Sequence, residues 1–421
     1  MTDTEFEKIT YRKVTRRLLP ILFLCFVASY LDRVNVGFAK LQMLADLGFS
    51  ETVYGLGAGI FFIGYFLFEV PSNIILHRVG ARLWIARIMV SWGIISAAMI
   101  FVNTPASFYA MRFLLGVAEA GFFPGVILYL TYWYPARRRG KITAMFMTAV
   151  AVSGIVGGPL SGWIMNTMPG VAGLAGWQWM FLIEAIPSLI LGGVVFLFLD
   201  NGISDADWLC PTGKQLLTDL VREDNLHKPE SGFRDVVRSR VVWHMALIYF
   251  CFVMGLYGVS FWLPTIIKST GVSNTLNIGL LTAVPYLAAA VTMVLIGHSA
   301  DKHQERRWHI ILPAMAGCTG LLLCTAFAHN TTWAMISLTL ATMGVLTTFP
   351  LFWSLPTAIL RGRAAAGGIA LINSLGNLAG FVSPYSVGWL KQLTHSTDTG
   401  MVMMAASMTL GALLTFMVPE N

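Results

Sequence analysis

Residues 18–38 read LLPILFLCFVASYLDRVNVGF, and this stretch decides the fold. At ~1.5 Å per residue a helix of this length crosses the ~30 Å hydrocarbon of a bilayer. Eleven further stretches of the same kind follow, with approximate cores at 53–76, 83–102, 108–131, 142–165, 179–199, 242–263, 276–297, 310–328, 333–355, 366–390 and 401–417. The chain has 421 residues, of which 56% are hydrophobic and only 12% charged. An all-α polytopic membrane protein of twelve transmembrane helices is therefore expected.

The basic residues test that count, because Lys and Arg gather in short cytoplasmic loops. With the N-terminus placed inside, twenty-two of the 28 fall in inner segments. These include Lys8 to Arg17, Arg78 and Arg82, Arg137 to Lys141, Lys302 to Arg307, and Arg361 and Arg363. Outer loops hold only Lys40, Lys268 and Lys391. Both termini are expected in the cytoplasm. The net charge of +7 is thus a topological signal, and a nucleic-acid partner is not expected. The first apolar stretch is full length and lacks a small-residue cleavage site, so no cleavable signal is expected. A multi-pass protein of the inner or plasma membrane follows, with lipid as its surroundings and a monomer as its expected state.

The hydrophilic stretch 200–240 divides the chain into a six-helix half at 1–199 and another at 241–421. Its middle, Gly213 to Asp224, is expected to form a short surface helix. The halves are weakly repeated. Arg82, Arg137 and Arg139 recur 224 positions later as Arg306, Arg361 and Arg363, and Pro159 recurs as Pro384. Two pseudo-symmetric bundles are how many secondary transporters are built, with substrate held between halves that rock. Gly154, Gly157, Gly158 and Pro159, and Gly376, Gly380 and Pro384, suit close packing between mobile helices.

The chemistry lies in four charges within spans: Asp32 and Arg33, then Arg112 and Glu119. A charge at mid-bilayer costs at least ~2.5–3.5 kcal/mol, so such residues usually line a cavity and carry function. With both carboxylates ionised the four sum to zero and each arginine is expected to have a partner. Protonating Asp32 or Glu119 would free a guanidinium whose planar fork suits a carboxylate. Residue counting from the span ends places Asp32, Arg33 and Arg112 at similar depth and Glu119 two turns further in, ~10 Å deeper. The proton would pass from Asp32 to Glu119. The second half has no Asp, Glu, Lys or Arg in its span cores. It offers Asn373 and Asn377, one turn apart on one face, and Tyr257, Trp262, Tyr286, Trp353 and Tyr385 as aromatic walls. Glu69 and Glu184 read as helix braces.

These motifs resemble the major facilitator superfamily, and within it the anion:cation symporters of organic acids such as tartrate, phthalate, 4-hydroxyphenylacetate and sugar acids. The likeness rests on YLDRVNVGFA, EVPSNIILHRVGARLW, RFLLGVAEAGFFPG, GHSADKHQERR and GRAAAGGIALINSLGNLAG and covers all twelve spans. It implies proton-coupling roles for Asp32 and Glu119. It also implies substrate contact for Arg33, Arg112, Tyr30, Tyr65 and Asn373, to which the shared face adds Asn377. Val150, Pro350 and Phe352 stand where sugar-acid members carry polar residues, which favours a short or aromatic acid.

No phosphate loop, HExxH or nucleophile elbow is present, so no enzyme is expected. The five cysteines form no CxxC pair; no metal and no cofactor beyond the coupling proton is expected. The competing reading is a proton-driven drug or metabolite exporter of the same fold, since Gly154-x-x-x-Gly158-Pro159-x-x-Gly162 resembles the span-five pattern of antiporters. The paired arginines favour anions.

Overall fold

A computed structural model describes residues 3–226, 238–303, 305–328, 330–359 and 362–418. The first half contains α1 (Asp3–Val34), α2 (Val36–Leu47), α3 (Glu51–Val79), α4 (Ala81–Ala98), α5 (Pro105–Glu119), α6 (Phe122–Trp133), α7 (Ala136–Met147), α8 (Ala149–Thr167) and α9 (Gly176–Phe198). After α10 (Pro211–Leu226) come α11 (Arg240–Ser269), α12 (Thr275–His303), α13 (Arg307–Ala326), α14 (Thr331–Phe352), α15 (Ser354–Ile359), α16 (Gly362–Asn377), α17 (Ala379–Thr394) and α18 (Asp398–Phe416).

Eleven helical stretches among the described residues are long and apolar enough to cross a membrane. The expected span at 366–390 is formed by α16 and α17, which meet at Leu378. Other spans are composite in the same way: α1 and α2 join at Asn35, α5 and α6 at Ala120–Gly121, α7 and α8 at Thr148, and α14 and α15 at Trp353. Each places irregular backbone inside the bundle, where neighbouring groups can satisfy it. Leu197, Val294, Leu413 and Phe101, each more than half exposed, supply the apolar outer surface that lipid requires.

Loop ends carry their caps. Ser50 accepts from Val53 N–H at 3.2 Å, Thr104 and Ser107 form a capping box before Pro105, and Asn330 accepts from Trp333 N–H at 3.2 Å. The expected linker helix is present as α10. It packs on α1 and α6 and is tied by the Arg139–Asp224 ion pair at 3.2 Å. Residues 227–237 of the linker lie outside the described residues.

Two seams join the halves. One is α8 against α12, the other α3 against α17. Both need glycine for close approach: a Cβ on Gly158 would stand 2.8 Å from the Gly279 carbonyl oxygen, and one on Gly55 would stand 2.6 Å from that of Pro384. The weak repeat exchanges span two with span eight and span five with span eleven, so it exchanges the two seams. Beyond the second seam, at the face poor in basic residues, Glu51 holds Lys40 and Lys391 at 2.7 Å each, and Lys40 lies 3.5 Å from the Trp262 ring centroid. This ion cluster links α2 and α3 of one half to α11 and α17 of the other.

Candidate functional site

Successive residues on a helix point ~100° apart, and the last turn of α1 uses this to send Asp32 and Arg33 to different neighbours. Arg33 sits where the helix dipole favours a cation. Its guanidinium pairs with Glu119 and donates to the Tyr257 hydroxyl of α11 at 2.8 Å. Phe61 and Tyr65 each present a ring 5.4 Å from it. Arg33 is therefore clamped between the two halves.

Glu119 is the final residue of α5. The chain turns there because Gly121 adopts φ +85°, a left-handed conformation that glycine takes at little cost. A carboxylate at a helix C-terminus opposes the dipole, so Arg33 and the Ser29 hydroxyl, donating to Oε1 at 2.6 Å, offset that cost. Asp32 faces α4 and α9, accepting from Ser188 Oγ at 2.6 Å, Ser96 Oγ at 2.9 Å and Trp92 Nε1 at 3.1 Å. All three donors are neutral.

Arg112 is fully buried and takes a third arrangement. It donates to the carbonyls of Gly57 at 3.2 Å, Arg33 at 3.3 Å and Ala58 at 3.5 Å, while Nη1 has no partner. The expectation that each arginine pairs with a carboxylate is thus corrected. Arg33 takes Glu119, which is not separated from it by two turns of depth, and Arg112 braces α1 against α3. Counting residues from span ends failed because α5 stops at Glu119 and the Arg33 side chain is long enough to reach it.

Tyr30 meets Ser260 of α11 at 2.8 Å, and Tyr286 of α12 donates to the same hydroxyl at 3.3 Å. Tyr65 is buried beside Arg33. Asn373 donates to Glu69 at 2.9 Å, joined by Ser374 at 3.3 Å. Asn377 is buried one turn further along α16. Glu69, read from the sequence as a brace, links the halves through the asparagine expected at the substrate wall. Val150 is buried, and Phe352 stacks on Tyr249 at 4.9 Å. The sequence reading missed Ser29, Trp92, Ser96 and Ser188. Trp92 and Ser96 stand one turn apart, a spacing that marks one polar face on an otherwise apolar span.

The Major Facilitator Superfamily profile matches residues 22–384. The chain is 49% identical over 416 residues to a Pseudomonas putida protein named metabolite transport protein NicT, covering 98% of this chain and 95% of that one. An Agrobacterium vitis protein named tartrate transporter is 47% identical, covering 100% and 98%. An Acinetobacter baumannii protein named quinolone resistance transporter is 40% identical, covering 98% and 96%. In fold, the chain is similar to the xylose transporter XylE from E. coli, with a TM-score of 0.75 at 17% identity, covering 96% of this chain and 99% of that one.

Proposed function

The chain belongs to the Major Facilitator Superfamily, as a multi-pass transporter of the cell membrane, and we propose that it carries a small organic carboxylate inward together with protons. The observation that carries this reading is the Arg33 clamp, one guanidinium shared between Glu119 of the first half and Tyr257 of the second. A substrate carboxylate has the same shape and charge as the Glu119 group it would replace. Protonating Glu119 removes its charge and releases Arg33 to the incoming anion; losing that proton restores the ion pair and expels the anion. Proton and substrate are thereby coupled through charge balance at a buried site, where an unpaired guanidinium is costly.

Around that clamp, Tyr30, Tyr65, Tyr257 and Asn373 would form the walls, and Asp32 would be a second protonation site outside direct contact with the substrate. Arg112 would act through the backbone of Arg33. Buried Val150 and Phe352 leave few hydroxyl partners and favour a tartrate-like or aromatic acid such as 4-hydroxyphenylacetate over a long sugar acid. The basic face, with α10, would be cytoplasmic and the Glu51 cluster extracytoplasmic. In proteoliposomes, uptake of labelled tartrate or hydroxyphenylacetate should rise with an inward proton gradient and collapse with a protonophore. Uptake indifferent to the gradient would reject proton coupling.

One observation favours a second reading, proton-driven export of a drug or metabolite: the 40% identity to a protein named for quinolone resistance. The two readings differ in direction. An exporter loads inside-out vesicles when their lumen is acidified; the symporter loads them when the external medium is acidified.

A further inference from the structure

Glu184 plays no part in the site above, yet it is a buried carboxylate one turn from Ser188 on the same face of α9. It is 1% exposed. Ser161 of α8 donates to Oε1 at 2.6 Å. Asn35, at the break after α1, stands beside it. That amide is 2% exposed and lies within hydrogen-bonding reach of the Glu184 carboxyl. Glu184 is therefore held by neutral groups from α8 and from the α1–α2 break, with no cation against it.

Asp32, on α1, is tied at 2.6 Å to Ser188, which stands one turn from Glu184 on α9. Arg33 faces Glu119 instead. From α4, Trp92 and Ser96 serve Asp32, while Arg87 lies 3.9 Å from the Trp84 ring. From α2, Lys40 is held by Glu51, and Asp46 accepts from the Trp177 indole at 2.9 Å. From α8, among the described residues, Ser161 is the polar partner. Among the described residues, no basic side chain pairs with either carboxylate. Arg33 and Arg112 balance two of the four charges on Asp32, Glu69, Glu119 and Glu184, so two negative charges remain when all are ionised. Two carboxylates in one apolar site do not both stay ionised at low cost.

We propose that Asp32 and Glu184, with Asn35 and Ser161, form a second carboxylate site that holds one proton between them, apart from the Arg33–Glu119 pair. The proposal deepens the proton-coupled reading and rests on it for its transport consequence. One O–H bond is held at a time, on Asp32 or on Glu184: breaking it at one carboxyl leaves that group ionised as the other becomes protonated. Glu184, next to the break at Asn35, would be its station nearer the face poor in basic residues.

The test uses the full chain in lipid. Infrared pH-difference spectra of the wild type should contain a titrating carboxylic-acid C=O band that shifts in Glu184→Gln. Without its carboxylate neighbour, Asp32 loses its proton at lower pH. In proteoliposomes, Glu184→Gln should keep substrate exchange at equal pH. The pH of half-maximal gradient-driven uptake should fall by about one unit, the coupling expected of interacting carboxylates. A band and pH profile identical to wild type would overturn the proposal. If Glu184→Gln does not reach the membrane, Asp32→Asn tests the pair from the other side, and an unmoved Glu184 band is equally fatal. Wild-type uptake that ignores the gradient would instead reject the transport reading, leaving the infrared test of the pair in force.

Discussion

Replacing Glu119 by Gln removes the charge that holds Arg33 while nearly preserving shape. In the structure Glu119 Oε1 accepts from both Arg33 and Ser29, and a Gln carbonyl can accept from both. A hydrogen bond involving a charged acceptor contributes ~1.5–3 kcal/mol and a neutral one ~0.5–1.5 kcal/mol. A substrate carboxylate competing for Arg33 thus meets an opponent weaker by about 1–1.5 kcal/mol, which is roughly a five- to tenfold gain in affinity. The gain should be visible as tighter substrate binding than in the wild type. The empty variant should be less stable, since removing one partner of a buried pair costs up to ~3–5 kcal/mol; Tyr257 and the Gln carbonyl reduce that figure. Substrate at 100 times its Kd restores ~2.7 kcal/mol. Thermal shift with and without substrate, alongside counterflow and uphill uptake, reads all three effects. Exchange should survive and accumulation should stop. A variant that binds no tighter than the wild type and still concentrates its substrate would refute the coupling through Arg33.

Three other perturbations have defined outcomes. Asp32→Asn should keep most of its contacts to Trp92, Ser96 and Ser188, because the serine hydroxyls can reverse their direction, so counterflow should persist while gradient-driven accumulation is lost; accumulation at the wild-type level would remove Asp32 from coupling. Arg112→Lys loses at least two of three carbonyl contacts at ~1.5–3 kcal/mol each before any compensation, so its melting temperature should fall more than its substrate affinity, and weakened binding at unchanged stability would return Arg112 to the substrate wall. Gly158→Ala puts a methyl 2.8 Å from the Gly279 oxygen, a strain of about 1–3 kcal/mol confined to the closed seam, which shifts the conformational equilibrium ~5- to 150-fold; spin labels at Asn166 and Asn274, now 3.1 Å apart, should report a wider separation, and an unchanged distance distribution would count against the seam as a moving contact.

The spans were legible because lipid imposes one rule on every helix: backbone bonds closed within the segment and apolar side chains outside. That rule writes itself into composition, whatever the helix packs against. The break at Leu378 within span eleven was not legible, because it follows from packing that hydropathy does not record. The four charged residues stood out because their cost in hydrocarbon leaves few explanations. Their pairing did not, since partner choice depends on how each helix is rotated about its axis and where it ends.

Asp32 and Arg33 show how much that rotation matters. Adjacent in sequence, they read naturally as a pair, yet a helix sends them into different compartments: Arg33 to Glu119 and Tyr257, Asp32 to neutral donors on α4 and α9. On the proposed reading this changes the kind of coupling. If Glu119 stood two turns inward of the arginines, a proton would need to travel between separate stations after the substrate had bound. With Glu119 already on Arg33, proton and substrate act on one guanidinium, and the coupling is a competition that needs no relay through the binding site. Asp32 is then free of substrate contact, and its nearest carboxylate neighbour in function is Glu184, which sequence position alone gave no reason to join to it.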